Sequence, residues 1–372
     1  MIRVAYFAPV LVTGGTQRHL QQVLGRLDRA RFAARVYTLV PGGEVEAELR
    51  AAGVDVVSLA LGPRLVAVRA ARAIVRAAAA LRADGVQVVH GYQWRPALVG
   101  AIAARLAGVP LVLASKRSLT GDDTRARRAW RLIARQVDTI VVNADALRRE
   151  GEAHGMAARW ALIPSGVDVQ RFENGPSAAE AKRALGLDPR RPVVGTVGRL
   201  ESRKGHEHFL HAARTMLGRA NGVRPQVVIV GAGPLRAELV RQAAELGVAE
   251  IVRFTGRLAD VRLALAAMDV FVLPSNAEGM SNALLEAMAA RRPVVATAVG
   301  GTCEVLAGGA GVLVPPGNPG ALASEIMQLL ADPTRAARLG EAARRQVEQR
   351  FDARAMAQQI EALYAERLAR AA

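Results

Sequence analysis

An alternation running nearly end to end constrains this chain most: short runs of Val, Ile and Leu, each followed by an Ala- and Arg-rich stretch with helical spacing. Strand-like runs fall at 3–9, 35–40, 54–59, 86–90, 111–115 and 139–142. A second series falls at 193–197, 226–230, 252–255, 270–273, 294–297 and 311–314, and helical patterns such as 207–217, 235–246 and 322–330 fill the gaps. Strands separated by helices pair in parallel, so two such series predict an α/β chain with two doubly wound parallel sheets. Hydrophobic residues make up 51% of the chain but aromatics only 4%, so packing rests on Ala, Val and Leu, as in sheets covered on both faces. A length of 372 residues also suits two domains better than one core. The rhythm breaks over 165–192, around Asn174, Gly175 and Pro176, which places the hinge there. The expected domains are 1–172 and 173–350, followed by a closing helical stretch over 351–372.

Net charge and cysteine content narrow the function classes. The single cysteine, Cys303, excludes an internal disulfide framework and suits a reducing cytoplasmic setting. The opening MIRVAYFAPV reads as a first strand rather than a signal peptide, and no apolar run reaches the length of a membrane span. The formal charge of +17 is uneven: residues 1–172 carry +12 and the remainder +5. Two helical stretches hold much of the excess, 64–82 with Arg69, Arg72 and Arg76 on one face, and 125–135 with Arg128, Arg131 and Arg135. Each sets apolar residues against arginines, as interfacial helices do, or as any amphipathic helix does in a chain with 47 Arg and three Lys. No aromatic-studded basic strand accompanies them, so nucleic acid is not an expected partner.

The segment PSNAEGMSNALLEAMAARRPVVAT carries the chemistry. The run VFVLP ends at Pro274, a polar loop follows with Glu278, Gly279, Met280, Ser281 and Asn282, and the helical pattern ALLEAMAA contains Glu286. In an open parallel sheet this loop lies beyond the carboxyl end of a strand, where ligands bind. Two acids beside a helix N-terminus suit a ligand with both hydroxyls and phosphate. The element GRLESRKG after the run VVGTV adds Arg199 and Lys204 at a second strand end, as a diphosphate site would require. Gly14 and Gly15 follow the first run and permit close backbone approach. His90 closes the run VQVV, and Lys116-Arg117 follow LVLAS.

Together these elements resemble the EX7E signature of GT-B retaining glycosyltransferases, family 4 in particular. The resemblance covers nearly the whole chain and includes Ile163–Asp168, with Ser165 where Asn is commoner, and the paired Gly300 and Gly301. It implies two Rossmann-like domains facing a cleft, the N-terminal one for the acceptor and the C-terminal one for a nucleotide-diphosphate sugar, with the last helix returning to the N-terminal domain. It further implies that Glu278 and the amides of Gly279, Met280 and Ser281 hold the sugar, Asn282 lies in the same donor site, and Glu286 holds the ribose. Arg199 and Lys204 would hold the diphosphate, and Gly14 and Gly15 would contact the donor. Glu278 and His90 would be the catalytic residues, His90 lying by the sugar unless it serves as a hydrogen-bonded structural residue. Lys116 and Arg117 are read as acceptor or phosphate contacts. Position 17, where the family usually has an acid, is Gln17.

The resulting expectation is hexose transfer to a lipid-linked or cell-envelope glycan precursor at the inner face of the plasma membrane, without cofactor or metal. A nucleotide-sugar 2-epimerase on the same architecture and a soluble small-molecule glycosyltransferase are the alternatives. Three apparent motifs are set aside. His206, His208 and His211 lack the i, i+4 spacing of a zinc helix, and Gly231-Ala232-Gly233 lacks the third glycine of a dinucleotide fingerprint and reads as a βα turn. Asp122-Asp123 sit in an arginine-rich loop.

Overall fold

The computed structural model describes residues 1–62, 67–121, 123–218 and 224–370, and in it the apolar runs become strands. The chain divides into two compact units, Met1–Gly166 with Ala353–Ala372, and Val167–Asp352. The first junction falls at 166/167, inside the segment where the apolar rhythm breaks but six residues before the expected 172/173; the second falls at 352/353 rather than 350/351.

Unit 1 holds β1 (Ile2–Ala8), β2 (Phe32–Thr38), β3 (Asp55–Ser58), β4 (Val88–Tyr92), β5 (Leu111–Lys116), β6 (Thr139–Val142) and β7 (Trp160–Leu162). They form one parallel sheet in the order β3-β2-β1-β4-β5-β6-β7. β7 was not expected: it is a three-residue edge strand without a fully buried residue, too short to register as an apolar run. Strand β4 is displaced relative to the sequence reading. It ends at Tyr92, so His90 lies inside it, paired with Tyr6 on one side and Leu113 on the other. The closing helix Ala353–Ala369 packs Met356, Ile360, Leu363 and Tyr364 into a core shared with Val4, Tyr6 and Leu20.

The basic helix runs over Ala67–Ala83, so Arg64 and Leu65 lie outside the described residues. Its Arg69, Arg72 and Arg76 are exposed, and Val68 and Val75 stand beside them at 62% exposure each. Ile74, on the same helix, packs against the core.

Unit 2 holds β8 (Val193–Val197), β9 (Gln226–Val230), β10 (Val252–Gly256), β11 (Val270–Leu273), β12 (Val294–Thr297) and β13 (Val312–Val314), parallel in the order β10-β9-β8-β11-β12-β13. The βα turn after β9 is structural. Gly231 has φ +138°, and a Cβ there would come within 1.9 Å of the Gly198 carbonyl oxygen, so the turn is built to lie against the loop after β8.

Candidate active site

Each sheet changes winding direction at one place, between β1 and β4 in unit 1 and between β8 and β11 in unit 2. Crevices at such switch points bind ligands beyond the carboxyl ends of the strands. In unit 2 the loop 198–205 follows β8 and the loop 274–282 follows β11, so strand order brings together two segments far apart in sequence. Their backbones are joined: Asn276 N donates to the Arg203 carbonyl (2.8 Å), and Asn276 Nδ2 to that of Ser202 (3.0 Å). Gly205, at φ +62°, lies so close that a Cβ would come within 2.0 Å of the Pro274 carbonyl oxygen.

This junction sets Lys204 against Glu278. Lys204 Nζ donates to Glu278 Oε1 at 2.5 Å, and Ser275 Oγ donates to the same oxygen at 2.7 Å. The two side chains are 14% and 4% exposed, so each neutralises a charge that would otherwise be costly to bury. Thr297 Oγ1, on β12, holds the Ser275 carbonyl at 2.5 Å and fixes the base of the loop. Gly279, Met280 and Ser281 are buried, and Ser281 Oγ caps the helix Asn282–Ala289 by accepting from Leu284 N. Glu286 lies within that helix and, like Asn282, is partly buried. Arg199 departs from the sequence grouping: its side chain is 66% exposed and pairs with Glu201 (3.3 Å). Of the three cations of GRLESRKG, Arg199 and Arg203 pair with Glu201 and Lys204 with Glu278.

In unit 1, Gly14 precedes the helix Gly15–Leu24 in an extended conformation, leaving the helix start without a side-chain cap. Gln17 is buried, and its Nε2 donates to the Val10 carbonyl (2.9 Å), so this departure from the family pattern pins the glycine loop. Of the two roles open to His90, the geometry supplies the structural one. It is fully buried, with Nδ1 2.7 Å from Tyr364 Oη and Nε2 2.8 Å from Ser115 Oγ. A sugar contact would require one of these bonds to open.

The adjacent pair Lys116 and Arg117 separates. Lys116 is the last residue of β5, fully buried, and ion-paired with Glu150, while its Nζ also donates to the Ser118 carbonyl (3.2 Å). In this structure the side chain expected to meet a ligand is turned onto a carboxylate instead. Arg117 instead donates through Nη2 to Ser165 Oγ at 2.8 Å.

Burial brings His90 down to about 3 from an ordinary value of 6.5, and nearby Arg117 contributes in the same direction. Burial also holds His19 well below the ordinary range. Between these limits the unfolded chain binds protons that the native chain refuses. The stability due to neutral His90 is intact above pH 6.5 and is lost as pH falls toward about 3. Each such histidine contributes a slope of about 1.4 kcal/mol per pH unit. Urea unfolding at pH 7.5, 5.5 and 4.5 is expected to show a shallower acid loss in His90→Asn than in wild type, and equal slopes would contradict the assignment.

The three histidines set aside as a zinc site bond elsewhere. His206 Nε2 donates to the Arg199 carbonyl (3.1 Å), His208 meets Asn276 Oδ1 (3.1 Å), and His211 lies 3.4 Å from Gln242 Nε2. Asp123 caps the helix Thr124–Ala134, and Asp122 lies outside the described residues. Among the described residues no group of three His, Cys, Asp or Glu could hold a metal ion. Ser275, Glu150 and Tyr364 were not singled out from the sequence, and Ser165 was noted only as standing where Asn is commoner. Only the fold reveals them, because each lies on a loop or helix remote in sequence from at least one of its partners.

Two doubly wound parallel sheets, one carrying a cation and a carboxylate at its switch point, have the architecture of the GT-B fold. Residues 13–171 match the model described as Glycosyltransferase Family 4, and 191–332 the model described as Glycosyl transferases group 1. A D-inositol 3-phosphate glycosyltransferase of Nocardiopsis dassonvillei is 32% identical over 296 residues, covering 73% of this chain and 68% of that protein. A GDP-mannose-dependent monoacylated alpha-(1-6)-phosphatidylinositol monomannoside mannosyltransferase of Corynebacterium glutamicum is 34% identical over 239 residues, covering 60% of this chain and 61% of that protein. In fold the chain is similar to Anabaena HepE, solved with UDP and glucose, at a TM-score of 0.86 and 23% identity, covering 98% of this chain and all of that one. The chain belongs to glycosyltransferase family 4. These relatives are transferases, which does not favour the epimerase alternative.

Proposed function

We propose that the enzyme takes a nucleotide-diphosphate sugar in unit 2 and transfers its hexose, with retention, to an acceptor held by unit 1. The observation that carries this reading is the Lys204–Glu278 pair at the β8/β11 switch point. An ammonium has three donors, so Lys204 can keep Glu278 and still reach a phosphate. Breaking the sugar–phosphate bond loads negative charge onto the departing diphosphate, and a cation fixed there acts chiefly in the transition state. In this reading Glu278 accepts hydrogen bonds from sugar hydroxyls beside the amides of Gly279, Met280 and Ser281, and Glu286 accepts from the ribose. Arg199, mostly exposed, swings from Glu201 to the phosphates, and Gly14 and Gly15 offer backbone N–H groups. Retention without a second carboxylate as nucleophile implies departure and attack on one face of the sugar, with the leaving phosphate taking the acceptor proton. The reading requires no metal. A thermal-shift screen of nucleotide sugars with EDTA present tests it, since a true donor binds only the folded chain. Stabilisation by one sugar nucleotide is expected; stabilisation that appears only with added magnesium or manganese would refute the metal-free reading.

The acceptor is proposed to be lipid-linked or an envelope glycan precursor, at the cytoplasmic face of a membrane. No described helix is long and apolar enough to cross one. The exposed Arg69, Arg72 and Arg76 with Val68 and Val75 support peripheral attachment instead. Each basic residue near an anionic surface contributes about 1 kcal/mol, enough for reversible binding when apolar side chains assist. Co-sedimentation with phosphatidylglycerol vesicles is expected to fall with salt and to weaken when all three arginines become Gln. Equal recovery on neutral vesicles would favour a soluble acceptor.

A further inference from the structure

Arg344, on the helix Pro333–Arg350, is 2% exposed, and its guanidinium reaches four partners. Nη1 donates to the Ala289 carbonyl (2.6 Å) and the Val169 carbonyl (3.2 Å), Nη2 to Glu173 Oε1 (3.1 Å), and Nε to Glu348 Oε1 (2.5 Å). The two carboxylates neutralise a charge that burial would otherwise make costly. The bonds to Ala289, on one side, and to Val169 and Glu173, on the other, join two segments far apart in sequence.

The first segment belongs to the donor site. Ala289 is the last residue of the helix Asn282–Ala289, which carries Glu286 about one turn earlier. The final carbonyls of a helix have no partner within it, and a cation placed there also suits the helix dipole. Gly340 lies one turn before Arg344 on the same helix face, and a Cβ there would come within 2.2 Å of the Arg291 carbonyl oxygen. Close approach at Gly340 and the guanidinium of Arg344 together dock the helix Pro333–Arg350 on the end of the donor helix.

The second segment is where the chain enters unit 2. Val169 and Glu173 bracket the turn Gln170–Phe172, the first after the junction at 166/167. Val167 N donates to the Phe351 carbonyl (2.8 Å), so the segment entering unit 2 lies beside the segment leaving it. Arg344 thus connects this crossing region with the end of the helix that holds Glu286. That helix of eight residues is about 12 Å long, so a shift at Ala289 displaces Glu286 with it.

We infer that Arg344 is a positioning residue for the donor site: it joins the helix of Glu286 and the turn after the junction into one body, so nucleotide binding and the order of residues 167–173 are coupled. This rests on the reading of Glu286 as the ribose contact. The coupling is reciprocal: a bound nucleotide steadies the turn, and an ordered turn strengthens nucleotide binding.

Amide hydrogen exchange reads the turn, because Val167, Phe172 and Glu173 donate its backbone hydrogen bonds. Calorimetry with UDP and pyrophosphate reads the helix. In wild type, saturating UDP is expected to slow exchange at these three amides. Arg344→Met should abolish that slowing and weaken UDP about tenfold, the lower end for a charged hydrogen bond, while pyrophosphate binding stays unchanged. Arg344→Lys, which keeps the charge without the planar fork, should recover part of both effects. A merely structural arginine would lower the melting temperature and leave the ratio of UDP to pyrophosphate affinity as it was. Exchange at the three amides indifferent to UDP in wild type would overturn the inference, and this arm needs no variant to fold. Wild-type UDP affinity in Arg344→Met, or equal losses of UDP and pyrophosphate, would overturn it as well. Normal UDP binding by Glu286→Ala would instead strike the donor reading beneath it.

Discussion

Glu278→Ala lowers turnover by roughly 10- to 100-fold, the largest catalytic effect expected from one substitution, because a charged hydrogen bond to the reacting sugar is worth about 1.5–3 kcal/mol. A second effect accompanies it. Lys204 is 14% exposed and would be left facing an uncompensated cavity, and removing one partner of a buried pair costs roughly 3–5 kcal/mol of stability. Glu278→Gln separates the two effects, since it keeps the side-chain volume and an acceptor oxygen. It should retain more of the melting temperature than Glu278→Ala while still losing turnover. In a double-mutant cycle with Lys204→Ala, the double variant should be less destabilised than the sum of the single ones. Additive stability losses would mean that the 2.5 Å contact carries no energy.

Lys204→Ala and Glu286→Ala both weaken nucleoside diphosphate binding by roughly tenfold or more, but they differ in what they recognise. Lys204 is assigned to the diphosphate and Glu286 to the ribose. Lys204→Ala should therefore weaken pyrophosphate and UDP alike, whereas Glu286→Ala should weaken UDP and leave pyrophosphate unchanged. Calorimetry with both ligands makes the comparison directly. Loss of pyrophosphate binding in Glu286→Ala, or its retention in Lys204→Ala, would break the assignment.

The strands were legible because a parallel strand covered on both faces must be a continuous apolar run. Thr139–Val142, Val193–Val197, Gln226–Val230, Val270–Leu273 and Val294–Thr297 stand where those runs stand. β7 was not legible, being a three-residue edge strand. His90 seemed to end its strand because the apolar residues stop there, but backbone pairing continues through Gly91 and Tyr92 against Ala114 and Ser115. Lys116 was read as an acceptor or phosphate contact because it stands at a strand end, where this sheet class binds ligands. Its partner Glu150 is on another element, and the sequence gives no hint of the pairing. The Lys204–Glu278 contact illustrates the same limit from the productive side. Each residue could be singled out by its place after a strand, but their meeting depends on β8 lying next to β11.

A crystal structure of the enzyme with UDP tests the central claim most directly. The diphosphate is expected within hydrogen-bond distance of Lys204 Nζ at the β8/β11 switch point, with the ribose hydroxyls on the Glu286 carboxylate. UDP bound in unit 1, or bound in unit 2 without touching Lys204 or Glu286, would contradict it.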